Sequence, residues 1–280
     1  MPVKIVTDST SDLTPKIAND LGITVVPLYI NFGTESYLDG VNLTTEEFYQ
    51  KLAKSKTLPT TAVPGPAAFA QVYDKLARET DEILVISLSS KLSSAHEMES
   101  QAVGMMRGKC RIEIIDSKAG CMALGLIAIA AAKAANAGAK MDDVVKLTRR
   151  NIPRSKIHFA FDTLEFLKRS GRVSAAQAFL GSMLKVNPIM TLEDGEGRPV
   201  AKPRSRAKAI ELLYKFATSF SHIEEMAVED ATTPDEVNML AQRFSSRFPS
   251  ERIYRTKVSP VVGTHVGPHV LAVSVLGDRD

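Results

Sequence analysis

The chain reads as a two-domain α/β protein, with a parallel-sheet N-terminal domain over residues 1–155 and a C-terminal α/β domain over 156–280 whose sheet is mixed, partly antiparallel. Three observations predict this. A length of 280 residues exceeds the roughly 100–200 residues of a usual single domain. In the first half, short β-branched apolar runs alternate with segments of helical period, the rhythm of a parallel sheet flanked by helices. Past Asn151 and Pro153 that rhythm gives way to strand-like runs mixed with longer helical stretches, and a hairpin signal enters.

Taken in order, strands are expected at Lys4 to Thr7, Thr24 to Phe32, Glu82 to Leu88 and Arg111 to Ile115. Helices are expected at Thr14 to Leu21, Thr45 to Leu52, Ala67 to Arg78, Ser93 to Met106 and Ala119 to Ala137, most of them opened by a Ser, Thr or Asp cap or an early proline. The second domain offers strands at Ile157 to Phe161, Pro188 to Leu192, Met226 to Val228 and Leu271 to Leu276. Between them DGEGRPV, Asp194 to Val200, has the turn chemistry of a hairpin, which makes part of this sheet antiparallel. No repeat or low-complexity linker separates the halves, so they are expected to pack directly and to bind a ligand in the cleft between them.

Bulk chemistry narrows the function. Hydrophobic residues at 44% and charged ones at 24% describe an ordinary packed protein. A net charge of +3 is too small for the electrostatic footprint of a nucleic-acid binder. Cys110 and Cys121 are too few for a disulfide scaffold and lack zinc-site spacing, so buried thiols in a reducing compartment are expected. The opening MPVKIVTDST is not a signal peptide, and the apolar stretch from Cys121 to Ala132 is shorter than the roughly 20 residues of a membrane span. A cytoplasmic protein is expected.

Several segments have chemistry to offer. KIVTDSTSDL sets Thr7, Asp8, Ser9, Thr10 and Ser11 beyond a strand, where they can bind an anion or equally cap the next helix. LPTTAVPGP sets Thr60 and Thr61 in a proline-punctuated loop, where a hydroxyl can meet a carboxylate or simply form a helix-entry turn. ISLSSKLSSAHEMES places Ser93 and Ser94 at a helix N-terminus, whose free amides hold anions; His96 follows one turn later, on a surface or core face. No GxGxxG or GxxxxGK[ST] is present, so a single carboxylate suits the site better than nucleotide phosphates. In IDSKAGCMALGLIAIAAAKAANAGA the apolar residues run almost all round, as in a fully buried helix; Gly120, Ala123 and Gly125 leave room for a neighbouring element or an acyl chain. A basic turn at Lys168, Arg169 and Arg172 joins two amphipathic helices around Gly171. KPRSRAK gathers Lys202, Arg204, Arg206 and Lys208 at a helix start, against the macrodipole, which points to an anion. VVGTHVGPHV puts Thr264 and His265 in a glycine-flanked loop, with His269 a packing or surface residue.

Taken together, VTDSTSDL, PTTAVPGP, SLSSKLSSA, IDSKAGCMALGL, FDTLEFLKRSGRVSAAQAFLG, KVNPIM, RSRAKA and GTHVGPH resemble the DegV family in order and rough spacing over nearly the whole chain. That family is known for fatty-acid-binding proteins that serve in bacteria as the carrier subunit of fatty acid kinase. The resemblance implies a two-domain DegV-like fold with a long-chain, palmitate-like fatty acid in a tunnel at the domain junction. It implies no cofactor, and a partner kinase that supplies ATP and magnesium. By the same resemblance Thr61 and Ser93 donate to the carboxylate, with Ser94 beside them, His265 lies near the head group, and Arg204 or Arg206 handles the phosphorylated product. Many relatives have serine where this chain has Ala62 and glycine where it has Ser94, so one hydroxyl is lost and one gained. Two readings compete. A serine hydrolase would use Ser93, His265 and Asp8 or Asp116, without a GxSxG elbow; a regulatory protein would bind nucleic acid through its arginines, against the weak net charge.

Overall fold

The computed structural model describes residues 2–172 and 186–279, which form three sheets and the helices that cover them. The first sheet is parallel, in the order β2-β1-β6-β7, built from β1 (Lys4–Asp8), β2 (Ile23–Val26), β6 (Glu82–Ser87) and β7 (Arg111–Asp116). Its strands read as continuous β-branched runs because both faces are covered. The expected strand from Thr24 to Phe32 is two strands. Pro27 has no N–H to give a ladder and fixes φ, so the chain leaves the parallel sheet after Val26. The amide of Leu28 then takes the Ser9 hydroxyl as acceptor at 3.2 Å. The continuation, β3 (Tyr29–Phe32), joins β4 (Glu35–Leu38) and β5 (Thr60–Ala62) in a small antiparallel sheet of order β4-β3-β5 that periodicity did not reveal.

The helices begin where their caps place them. Thr14 accepts from the Ile17 amide ahead of α1 (Pro15–Leu21), and Thr44 and Glu47 form a reciprocal capping box on α2 (Thr45–Lys54). α3 (Pro66–Leu76) starts on a proline, and α4 (Ala95–Val103) follows Ser94 as its N-cap residue.

The second large sheet has the order β10-β9-β8-β13-β11-β12, from β8 (Ser155–Ala160), β9 (Ile189–Glu193), β10 (Glu196–Ala201), β11 (His222–Asp230), β12 (Ile253–Lys257) and β13 (Leu271–Asp278). Its described pairings are antiparallel except β11 with β12, and β9 and β10 form the expected hairpin through Asp194 and Gly195. On its outer face α8 (Arg206–Thr218) and α9 (Pro234–Ser245) enclose a second apolar core around Leu213, Phe216, Leu240 and Phe244.

Between the large sheets runs α5 (Cys121–Asn136), touching β1 and β6 on one side and β8, β11 and β13 on the other, with α6 (Met141–Asn151) packed on it and α7 (Glu165–Ser170) following β8. This accounts for the nearly unbroken burial of α5: a helix pressed between two sheets has no solvent face to colour with polar residues. The main apolar core collects Ile5, Leu84 and Ile86 from the first sheet, Leu126 and Ile127 from α5, and Ile157 from the second. No helix among the described residues is long and apolar enough to cross a membrane.

Candidate functional site

Where the two large sheets and the small sheet meet, a cavity of about 300 Å³ opens. Its wall is mainly apolar. Phe159, Phe161, Met190 and Leu192 come from the second sheet's end, Leu28 and Leu88 from the first, and Val261 and Val262 from α10 (Pro260–Val266). Gly120 and Cys121, at the start of α5, complete one side; a Cβ on Gly120 would lie 3.0 Å from the Leu88 side chain, so glycine keeps that side open.

The polar groups in the wall are Thr10, Thr61, Ser93, Ser94, Arg172, Thr191 and His265. Thr61 sits in β5, opposite Ile30 of β3, and strand alternation turns it away from the exposed Thr60 and Ala62 toward α10. There its Oγ1 lies 3.0 Å from His265 Nε2. Burial, reinforced by the charge of Arg172, pushes His265 down to about 4, so the ring is neutral at pH 7. Its Nδ1 is buried without a hydrogen-bond partner among the described residues. On the opposite element, the Ser93 hydroxyl accepts from the Ala95 amide at 3.2 Å, and the exposed Ser94 hydroxyl makes no cap bond. The first turn of α4 adds amide donors without intrahelical acceptors. Six neutral hydroxyl and imidazole groups, a helix N-terminus and one guanidinium at the edge of an apolar hollow suit a guest with a long aliphatic body and a single anionic end.

A family model described as "Uncharacterised protein, DegV family" matches residues 2–278. The chain belongs to the DegV family. A DegV domain-containing protein of Caldanaerobacter subterraneus subsp. tengcongensis is 35% identical over 274 residues, covering 97% of either chain. Among solved structures, one described as showing fatty acid binding of a DegV family protein from Thermus thermophilus is 31% identical, covers 99% of this chain and 100% of its own, and superposes with a TM-score of 0.90. Bacillus subtilis DegV, described as a fatty acid binding protein, superposes at 0.89 with 30% identity, covering 99% of this chain and 100% of its own. The α/β architecture of this DegV-family chain is thus that of its solved relatives.

Thr61, Ser93, Ser94 and His265 all line the one cavity, whereas Arg204 and Arg206 do not. Arg206 instead forks onto Glu236 at 2.6 Å and reaches Asp162 at 3.3 Å, so carboxylates from α9 and the β8 end offset a cation placed against the α8 dipole. Arg204 is exposed. Two local expectations are corrected. Thr60 and Thr61 lie in a strand, and Thr264 and His265 lie in a helix, because Ser259-Pro260 is a helix start and Gly263 is required inside it: a Cβ there would stand 2.5 Å from Tyr49 Oη. In this DegV-family chain the hydrolase triad is not assembled either. His265 Nε2 faces Thr61, Asp8 accepts from Thr10 and the Leu88 amide, and Asp116 binds Ser90 and the Lys118 amide.

The TDSTS cluster takes its structural role: Asp8 caps the short 3-10 turn Ser9–Ser11, and Thr7 binds the Ile86 carbonyl. Thr10 alone of that group also lines the cavity. Of the basic turn, Arg169 pairs with Glu165 while Arg172 reaches the cavity wall; the second helix expected beyond Gly171 lies outside the described residues. The aromatic wall of Phe159 and Phe161 was legible only as an alternating strand, with nothing local to mark the inward face as a ligand surface.

Proposed function

We propose that this protein is a cytoplasmic carrier that binds one long-chain fatty acid and presents its carboxyl group to a partner fatty acid kinase. The carrying observation is the apolar cavity with Thr61, Ser93, Ser94 and His265 gathered in its wall. Two relatives about 30% identical, described as fatty-acid-binding, support the same guest. In this reading the lobes 1–155 and 156–280 enclose the acyl chain at their junction. Each buried methylene contributes roughly 0.8 kcal/mol, so an aliphatic tail supplies the affinity and the polar groups need only orient its end.

In this reading the Thr61–His265 contact must run in one direction. With the proton on Nε2, His265 donates to the Thr61 oxygen, and the Thr61 hydroxyl hydrogen is left for the carboxylate. Ser93 accepts from the Ala95 amide, so its own hydrogen is likewise available. The carboxylate therefore meets two O–H donors rather than a salt bridge, which holds it without quenching it as a nucleophile toward a phosphoryl donor. Phosphorylation and its magnesium belong to the kinase; Arg204, exposed on the carrier, is offered to the phosphorylated product or the partner.

Native purification, solvent extraction and mass spectrometry should recover one fatty acid per chain. Thr61→Ala and Ser93→Ala should each weaken retention roughly tenfold or more, as loss of a hydrogen bond to a charged group would. Unchanged occupancy in both variants would refute this placement of the head group. Acyl-phosphate formation that a fatty acid kinase achieves equally well without the carrier would remove the presenting role.

A further inference from the structure

Three side chains outside the proposed head-group site converge in the core. Asp12 ends the 3-10 turn after β1, Cys121 opens α5, and Glu229 lies on β11; one ligand atom from each falls within 4.8 Å of the others, and all three are buried. Two are held in the left-handed backbone region, Asp12 at φ 53° and Cys121 at φ 54°, although neither is glycine.

Their present partners leave coordination capacity open. Glu229 accepts from the Met122 amide and the Ser274 hydroxyl, and Asp12 Oδ1 accepts from the Ser259 amide at 3.0 Å. Asp12 Oδ2 has no hydrogen-bond partner among the described residues, although Asp12 is only 4% exposed. The Ser259 side chain, on a residue only 8% exposed, and the Glu229 carboxyl both lie against Asp12. Two buried carboxyl groups in contact need a proton or a cation between them. The surroundings select its sign: Asp8 and Asp39 are buried nearby and are held by amides and hydroxyls, while Lys257 is engaged with Asp230.

We propose that Asp12, Cys121 and Glu229 form a buried site for a divalent transition-metal ion of the zinc type. One thiolate with two carboxylates is a donor set that borderline-soft ions accept and that magnesium or calcium does not favour. Coordination displaces the thiol proton and any proton held between the two carboxyls, both released to solvent. Cys121 also lines the lipid cavity, which supplies a path of entry. The ion would tie the β1 turn, the head of α5 and β11 together, a structural role independent of the fatty-acid reading and readable in delipidated protein.

The test is cobalt titration of the full chain after chelator dialysis. One equivalent should bind with a sulfur-to-cobalt charge-transfer band in the near ultraviolet, and zinc should displace it. The band should vanish in Cys121→Ser and persist in Cys110→Ser, and Glu229→Gln should lower affinity about tenfold or more. Should Cys121→Ser fail to fold, the wild-type charge-transfer band and a zinc-dependent rise in melting temperature, absent in Glu229→Gln, decide the question. No stoichiometric uptake, or a cobalt spectrum without sulfur character, overturns the site.

Discussion

At the scale of single residues, the decisive contact is the pair Thr61 and His265, brought to 3.0 Å from positions 204 residues apart. Each residue was marked by its local motif, but their meeting was not. A neutral histidine poised over a hydroxyl is a sensor of what enters beside it. Burial and Arg172 set His265 at about 4, and a carboxylate arriving next to the ring favours its cation. Loading with fatty acid should therefore move its titration upward, toward the ordinary histidine range of about 6.5. Nitrogen-15 NMR of the imidazole in delipidated and loaded protein reads this shift, together with the proton on Nε2 in the unliganded form. An unmoved titration would place the carboxylate elsewhere in the cavity. The arginines teach the opposite lesson: Arg206 stood out in the sequence as a cation at the wrong end of a helix, and its explanation is Glu236, thirty residues away.

At the scale of elements, the glycines of α5 illustrate what composition leaves open. Gly120 and Gly125 both announced spare room beside the helix. Only Gly120 keeps it for the cavity; Gly125 is occupied by backbone, since a Cβ there would sit 2.6 Å from the Ser11 carbonyl oxygen and 2.9 Å from Met122 Sδ. Gly125→Ala should accordingly destabilise the protein by about 1–3 kcal/mol through overpacking against a turn that cannot yield. The denaturant midpoint measures it, and a variant as stable as the parent would show that the turn shifts freely. Of the two strands in the Thr24 to Phe32 run, the break at Pro27 was readable from proline chemistry. That the second half would found a separate sheet with β5 was not, because β5 is only three residues long.

At the scale of the whole molecule, stability should carry the signature of buried acids. Glu99, 1% exposed on α4 and bonded to the Ser87 hydroxyl, is raised from 4.5 to about 8, by burial first and then by the charges of Asp8 and Asp116. Its folded pKa lies above its unfolded one. The unfolded chain therefore loses this proton first, and the stability present below about 4.5 drains away as pH rises to about 8. Glu99→Gln should remove that part of the slope, on the order of a few kcal/mol across the window. Chemical denaturation at a series of pH values checks this, and parallel slopes in parent and variant would count against a protonated Glu99.

By itself the sequence determined the alternation of strand and helix, the change of grammar after Asn151, the hairpin at Asp194-Gly195, the buried character of α5, and the motifs that carry the family resemblance. These are properties of local period, turn chemistry and capping, which a short window of chain contains. Only the tertiary structure decided that α5 lies between two sheets, that β5 and α10 replace the loops read at Thr61 and His265, and that Phe159, Met190 and Thr10 face one hollow. Such features depend on which distant surfaces share an interior, and the free energy that selects them is burial summed over both halves of the chain.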